Sequence, residues 1–254
     1  MTNININKNN ALIDLQQLIE QNINTKLSYM PDSFKQQQVQ ALEFFKQRLF
    51  LEKIIDEAIS FNKNLDFPNK NKNLHLTTTA EDLIDVFKLR SDVYTSINYQ
   101  EEFPDIIEGL NFDKYDSNSA ILFYKSNKIV TGTIRVVFDS HHKLPSEDKY
   151  SFDKIRNRHC ILVELSRLIV RKENQSLNLE FKYLTSGVYH LFIKNKIDII
   201  LSSLKKEHYK LYSKFGGIEI LEEPSIYGNL NQSSIILSWD PSEASEFFKK
   251  AFLS

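Results

Sequence analysis

The sequence predicts an α/β domain, with a mixed central sheet and flanking helices, preceded by a helical hairpin. Two observations carry this expectation. Apolar residues recur at helical spacing through the first third of the chain, and beyond it strand-like and helix-like segments follow one another as β-α-β-β-β-α-β-α-β-β. A central hairpin meander followed by helical crossovers excludes a simple doubly wound sheet, and no Gly-rich dinucleotide or Walker loop is present.

The N-terminal segments come first. Leu12, Leu15, Ile19 and Ile23 keep one helical face, and a second helix opens at Asp32 or Ser33, just after Pro31, and runs to about Ser60. Val39, Leu42, Phe45, Leu49 and Ile55 form its stripe. Residues 1–61 read as a helical extension that packs on the main domain or, alternatively, offers Lys46, Arg48 and Lys53 to an acidic partner. Residues 62–74, rich in Asn and Lys and interrupted by Pro68, read as a linker.

Residues 75–254 form the main domain. His75–Thr77 is a short strand, and Thr78 with Glu81 forms a capping box for a helix to about Tyr94. An acidic loop over 95–117 leads to the strand Ser119–Lys125, a tight turn at Asn127 and the strand Ile129–Phe138. A polar excursion, His141–Arg158, precedes an apolar strand over Cys160–Val170. An amphipathic helix over Leu179–Asn195 buries Tyr183, Val188, Leu191 and Phe192. The strand Ile197–Ser203 follows, then a helix over Lys205–Lys214 that Gly216 and Gly217 end in left-handed conformation. Gly217–Leu221 and Ser233–Ser238 are the last strands.

A formal net charge of -1 speaks against bulk electrostatic binding to nucleic acid. One cysteine, Cys160, permits no internal disulfide. The polar N-terminus lacks the apolar core of a secretory signal, and no apolar run is long enough to span a bilayer. A cytoplasmic location is expected. His141 and His142 stand together without further ligands at metal spacing, so no metal is expected.

Three segments place charge inside apolar surroundings: Asp113-Lys114-Tyr115-Asp116 before a strand, Gly132-Thr133-Ile134-Arg135 within the next, and Glu164-Leu165-Ser166-Arg167 in the middle of another. Such charges must pair or face a cleft. One reading is a purely structural ion network linking Glu164, Arg135 and Asp116; the other is a site. Regular alternation sets Glu164 and Arg167 on opposite faces, whereas a β-bulge between them brings both to one side and parts the strand from its neighbour, opening a slot.

Together with Arg90, Val93 and Tyr94, these segments resemble the acyl-homoserine-lactone synthases and the related N-acyl amino acid synthases, over roughly residues 76–225. Both groups are enzymes of the GNAT fold that draw acyl chains from acyl carrier protein, so the resemblance implies a GNAT-like, splayed central sheet. It matches Arg90 and Tyr94 to the R-x-x-V-F segment and Asp113 and Asp116 to D-x-Y-D. It matches Arg135 to G-x-x-R-L, and Glu164 and Arg167 to E-x-S-R. In the family these residues build the network beside the acceptor. Two positions depart from the lactone synthases: Asn111 stands where they carry Glu, and their tryptophan is missing between Tyr94 and Phe103. The run His208 to Gly216 resembles the H-x-x-x-Y-x-x-x-G-F segment of the amino acid synthases, with Gly217 in place of the final aromatic.

The resemblance implies an N-acyltransferase moving a fatty acyl group from a thioester to the amine of an amino acid or similar small acceptor. The donor is an acyl-phosphopantetheine, on acyl carrier protein or CoA, and no cofactor is tightly bound. The stretch from Arg171 to Leu179 has no glycine with which to cradle a pyrophosphate, which favours acyl carrier protein. Glu164 is the candidate base, and Arg135 or Arg167 the candidate holder of the acceptor carboxylate. Asp113 and Asp116 position the amine or orient the arginines. Backbone amides near Leu168, beside Ser166, face the thioester oxygen. Tyr212 is either the proton donor to the leaving thiolate or a packing tyrosine, and His208 either lies near the acceptor or bonds locally on its helix. A membrane is involved only through a lipid product. The rivals are a lactone synthase using S-adenosylmethionine, acylation of a protein lysine, and a non-catalytic GNAT module that binds acyl carrier protein or lipid.

Overall fold

The computed structural model describes residues 17, 20, 21, 25, 31–68, 71–148, 150–157, 161–171, 179–227 and 232–254. The helix expected around Leu12 to Ile23, Cys160 and the glycine-free stretch after Arg171 lie outside the described residues, apart from isolated helical positions. The chain divides into two compact units, Met1–Lys53 and Ile54–Ser254.

Helix α1 runs Asp32–Lys63, opening where Pro31 and the acidic Asp32 suit a helix start. In the first unit its side chains Phe34, Val39 and Phe44 are exposed. In the second unit its buried positions are Ile54, Ala58 and Asn62, one every fourth residue, so the burying face is turned by one position from the expected Ile55.

The second unit is built on β1 (Leu74–Leu76), β2 (Ser119–Ser126), β3 (Ile129–Phe138), β4 (Leu162–Val170), β5 (Ile199–Lys205), β6 (Ile218–Tyr227) and β7 (Gln232–Trp239). Its helices are α2 (Ala80–Ser96), α3 (Asp153–Arg156), α4 (Leu179–Lys194), α5 (Tyr209–Tyr212) and α6 (Glu246–Phe248). The seven strands lie in the order β1-β2-β3-β4-β5-β7-β6. Among the described residues only β4 and β5 pair in parallel, across the α4 crossover.

Local chemistry explains the element ends. Asn127 and Lys128 both have positive φ, 50° and 68°, which gives the β2–β3 hairpin a two-residue turn of the hand that strand twist favours. The cap of α2 is Thr79, not Thr78: Thr79 has extended backbone and accepts the Asp82 N–H at 3.2 Å. Strand β5 begins two residues later than expected, and α5 is a single turn continuing a 3-10 turn over Lys206–His208. Gly216 and Gly217 have φ of 80° and 68°, and a Cβ on Gly217 would stand 2.3 Å from the Asp240 carbonyl oxygen.

Alternation sends the strands' side chains to two cores. Leu122, Tyr124, Ile134, Val136, Val163, Ile200 and Trp239 pack under α4 (Leu184, Val188, Leu191) and the C-terminal Phe248 and Phe252. On the opposite face Val137, Leu162, Leu201 and Ile236 pack with Leu144 and Phe152, which come from the 139–157 connection. On that second face α2 crosses β3 and β4 and stacks Phe87 on Phe112, ring centroids 5.4 Å apart.

The buried Asn62 acts as a substitute strand. Its Nδ2 donates to the Ser119 carbonyl at 2.9 Å and its Oδ1 accepts the Ile121 N–H at 3.3 Å, two groups of β2 that β1 is too short to reach. Those groups need partners once buried. Asn62→Leu keeps the side-chain volume and leaves both unsatisfied. A loss of about 2–4 kcal/mol in urea-unfolding stability is expected; a change under about 0.5 kcal/mol would show that the bonds are not needed.

Candidate active site

The three charged segments meet on the α2 side of the sheet. The Asp113 to Asp116 segment opens a 3-10 turn, Lys114–Asn118, as a reciprocal capping box: Asp113 Oδ1 accepts the Tyr115 N–H at 2.9 Å and Asp116 Oδ2 accepts the Asp113 N–H at 2.8 Å. The D-x-Y-D spacing thus fixes both carboxylates locally before either meets a cation. Asp116 Oδ1 then accepts from Arg90 Nη1 at 2.8 Å and faces Arg135 Nη1 at 3.1 Å. Asp113 Oδ1 accepts from Arg135 Nη1 at 2.5 Å and Oδ2 from Arg167 Nη2 at 2.9 Å. Arg135 Nε donates to Ser166 Oγ at 2.9 Å, and the Arg135 guanidinium lies 5.9 Å from the Tyr115 ring centroid.

Arg90, Arg135 and Asp116 have side chains at most 2 % exposed, whereas Asp113 is 25 % and Arg167 11 % exposed. The first three are therefore a sealed support, and the outward edge of the network is Asp113 with Arg167. Burial lowers the Arg90 pKa despite Asp116 beside it. Burial works against ionised Asp113, but Arg135 and Arg167 outweigh it and hold its carboxyl far below the usual range. Burial likewise acts to lower Arg135, and Asp113 and Asp116 outweigh it and raise the pKa.

Glu164 lies next to this network without joining it. Its carboxylate accepts the Ser146 N–H at 3.0 Å and the Ser146 hydroxyl at 2.7 Å, so the direct Glu164–Arg135–Asp116 ion network considered from sequence gives way to a glutamate–serine pair. Burial pushes Glu164 up to about 7, against the lowering effect of Ser146 and Arg135. Ser146 is held in turn: Glu147, its neighbour, bonds Arg156, which also pairs with Asp139.

The β4 backbone explains how one strand serves both needs. Between the pairs Thr133–Ile169 and Arg135–Ser166, β3 advances two residues and β4 three, so β4 carries a bulge at Arg167 and Leu168, where Arg167 has φ 53°. Glu164, Ser166 and Arg167 then all serve the α2 side. The parallel pairing of β4 with β5 ends at Leu165–Ser202, although β4 continues to Val170 and β5 to Lys205. Beyond that point the two strands have no ladder pairs with each other, and Leu168 of β4 is exposed.

Tyr94 is buried and lies against Phe103, ring centroids 4.9 Å apart, with the Arg167 guanidinium over both rings. Tyr212 lies on the α4 side of the sheet, half-buried against Phe181 and Phe215, and burial raises its pKa to about 12. His208 is exposed beside Glu207, its Nε2 3.8 Å from the carboxylate, and is not brought to the network. A cavity of about 520 Å³, lined by Phe192, Ile197, Asp198, Glu219, Ser238 and Asp240, lies at the opposite ends of β4 and β5, and none of the network residues lines it.

Sequence reasoning missed Ser146, Phe103 and the work of Asn111, whose Nδ2 bonds the Phe103 carbonyl at 2.8 Å. Ser146 sits in an irregular connection and meets Glu164 only through tertiary packing. Phe103 had one signal, an aromatic in an otherwise acidic loop.

A mixed sheet split between two central parallel strands, with flanking helices and an ionic cluster at the split, defines an acyltransferase of the GNAT-like class. The family model of the N-acyl amino acid synthase FeeM matches residues 85–240, and the chain belongs to that family. The structure of FeeM, an N-acyl amino acid synthase from uncultured soil microbes, superposes with TM-score 0.53 and 15 % identity over 71 % of this chain and 94 % of that one. The CoA-dependent acyl-homoserine lactone synthase BjaI, solved with SAM and isopentyl-CoA, gives TM-score 0.53 and 17 % identity over 68 % and 81 %. The AHL synthase LasI gives TM-score 0.53 and 14 % identity over 72 % and 95 %. At such identities these likenesses establish the fold. No curated protein sequence matches the chain.

The raised Glu164 pKa has a stability consequence. The unfolded side chain loses its proton near 4.5 and the folded one near 7. Between those values the folded state binds more protons, so stability falls as pH rises through the window, by roughly 3 kcal/mol in total. Glu164→Gln, which can still bond Ser146, is expected to flatten that slope in urea titrations from pH 4.5 to 8; an unchanged slope would show that Glu164 ionises normally.

Proposed function

We propose that the main domain, expected over 75–254 and packed as the Ile54–Ser254 unit, moves a fatty acyl group from acyl carrier protein to the amine of an amino acid or similar small acceptor; the expected extension 1–61 and linker 62–74 overlap that unit, since Asn62 bonds β2 and Leu74 opens β1. The observation that carries this reading is the opening of β4 from β5 beside the outward pair Asp113 and Arg167. A pantetheine arm, whose amides can pair with strand edges that lack ladder partners, fits between β4 and β5 beyond Leu165, and an acceptor with one amine and one carboxylate fits an anion next to a cation. The family's description as N-acyl amino acid synthases supports the acceptor. The glycine-free stretch after Arg171 supports a donor without pyrophosphate.

In this reading the amine nitrogen attacks the thioester carbonyl carbon, a tetrahedral oxyanion forms, and the C–S bond breaks to leave an amide and a thiol. The Leu168 backbone, at the bulge, supports the oxyanion. Glu164, titrating near neutrality, takes the amine's proton through a water or through the Ser146 hydroxyl that already donates to it. Tyr212 keeps its proton at neutral pH and gives it to the departing thiolate. Arg135, bonded to Ser166 and both aspartates, fixes the network, and Arg90 and Tyr94 support it from α2. Holding amine and thioester in contact supplies much of the rate. His208 has no part in the scheme. The lactone-synthase alternative is weakened by Asn111, which stands in place of an acid and is spent on the Phe103 loop.

Expression in a bacterium with lipid analysis by mass spectrometry is expected to reveal N-acyl amino acids, and their absence with both carrier-protein and CoA donors would overturn the reading. With purified protein, thiol release is expected to fall about 100-fold or more in Glu164→Gln and Arg135→Ala, and about tenfold or less in Tyr212→Phe. The wild-type rate is expected to rise to a plateau above pH about 7, because the base must be ionised. Wild-type turnover by the Glu164→Gln, Arg135→Ala double variant would contradict the mechanism.

A further inference from the structure

The Arg167 guanidinium is held more firmly than its ion pair requires. Nη2 donates to Asp113 Oδ2 at 2.9 Å. The flat face lies 4.3 Å from the Phe103 ring centroid and 5.3 Å from that of Tyr94. Its remaining terminal nitrogen, Nη1, is buried and has no hydrogen-bond partner among the described residues. Buried N–H groups are rarely left so, and one at the inner end of a side chain that is itself partly exposed is suited to a partner that arrives with a ligand. A planar cation stacked on aromatic rings loses the freedom to swing that edge toward solvent.

Phe103 is itself pinned. Its N–H donates to the Tyr99 carbonyl at 2.9 Å, and its carbonyl accepts from Asn111 Nδ2 at 2.8 Å. Asn111 is buried, its second side-chain bond goes to the Pro104 carbonyl at 3.3 Å, and its own N–H donates to the Phe87 carbonyl on α2 at 3.1 Å. The loop bearing Phe103 is thus tied to the helix that carries Arg90 and Tyr94.

We infer that Phe103, fixed by Asn111, is a positioning residue that holds the Arg167 guanidinium with its unpaired Nη1 edge ready for the carboxylate of the acceptor. This rests on the amino-acid-acceptor reading above. Tyr94 provides the second ring and Asp113 the opposite edge, so an incoming carboxylate meets a cation that cannot rotate.

Two measurements test it, one of them independent of turnover. With ¹⁵N-labelled arginine, and Arg167 assigned through Arg167→Lys, the wild-type protein is expected to give two resolved, slowly exchanging Nη signals for Arg167. Phe103→Leu is expected to average them and Phe103→Trp to keep them apart. Averaged signals in the wild type, or resolved ones in Phe103→Leu, would overturn the clamp. In the thiol-release assay, run with each standard L-amino acid, Phe103→Leu is expected to raise the acceptor KM about tenfold. kcat and the donor KM stay within twofold, and Phe103→Trp restores the acceptor KM to within threefold. The wild-type preference for the amino acid over its carboxamide is expected to collapse in Phe103→Leu. An unchanged acceptor KM would overturn the inference while leaving the acyltransferase reading intact. If the wild type turns over no L-amino acid, the acceptor reading fails and with it the carboxylate role, and the NMR result alone decides the clamp.

Discussion

The site depends on one irregularity in one strand. At Arg167 the β4 backbone turns into the left-handed region, with φ 53°, a conformation that costs a non-glycine residue free energy and persists only where its surroundings over-determine it. Ladder pairing with β3 on both sides, the ion pair to Asp113 and the stack on Phe103 and Tyr94 supply that constraint. Two things follow from the extra residue: Arg167 turns to the same side as Glu164 and Ser166, and β4 leaves β5 after Leu165. The end of the β4–β5 pairing and the placing of Arg167 beside Glu164 and Ser166 accompany the same bulge.

Charge and burial are separated within the network. Arg90, Arg135 and Asp116 are sealed, and their mutual pairing avoids the cost of isolated charges in a low-dielectric interior. Asp113 links this base to the partly exposed Arg167 and is held to its register by its own capping box. Glu164 stands apart: its carboxylate meets a serine N–H and hydroxyl, not a guanidinium, and that weaker compensation leaves burial dominant and its titration near neutrality. Asp113 and Glu164, neighbouring acids on one face of the sheet, therefore ionise differently, as acid–base chemistry requires.

Much of this was legible in the sequence, and particular residues show why. The strand and helix order followed from periodicity, and the turn at Asn127 from its tolerance of positive φ. Glu164 and Arg167, three apart in a strand too apolar to hold them idly, left regular alternation and a β-bulge as the two readings, and the register shows a bulge, at Arg167 and Leu168. What remained hidden was tertiary. Thr79 displaced Thr78 as the α2 cap because three consecutive threonines offer the same chemistry and only backbone geometry selects among them. Ser146 and Phe103 lie in irregular connections with no period to read, and their partners are distant in sequence. The pairing of Glu164 with Ser146 in place of Arg135 could not be read from residue types, since a buried carboxylate accepts from either.

The central claim is that acyl transfer takes place where β4 leaves β5. A crystal structure with an acyl-pantetheine analogue, its thioester sulfur replaced by a methylene group, tests it most directly. The account expects the ketone carbon between Ser166–Val170 of β4 and Ser203–Lys205 of β5, with Asp113 and Arg167 at the side from which an amine approaches. Ligand density in the cavity beside Phe192 and Asp198, with the gap between the strands empty, would contradict it.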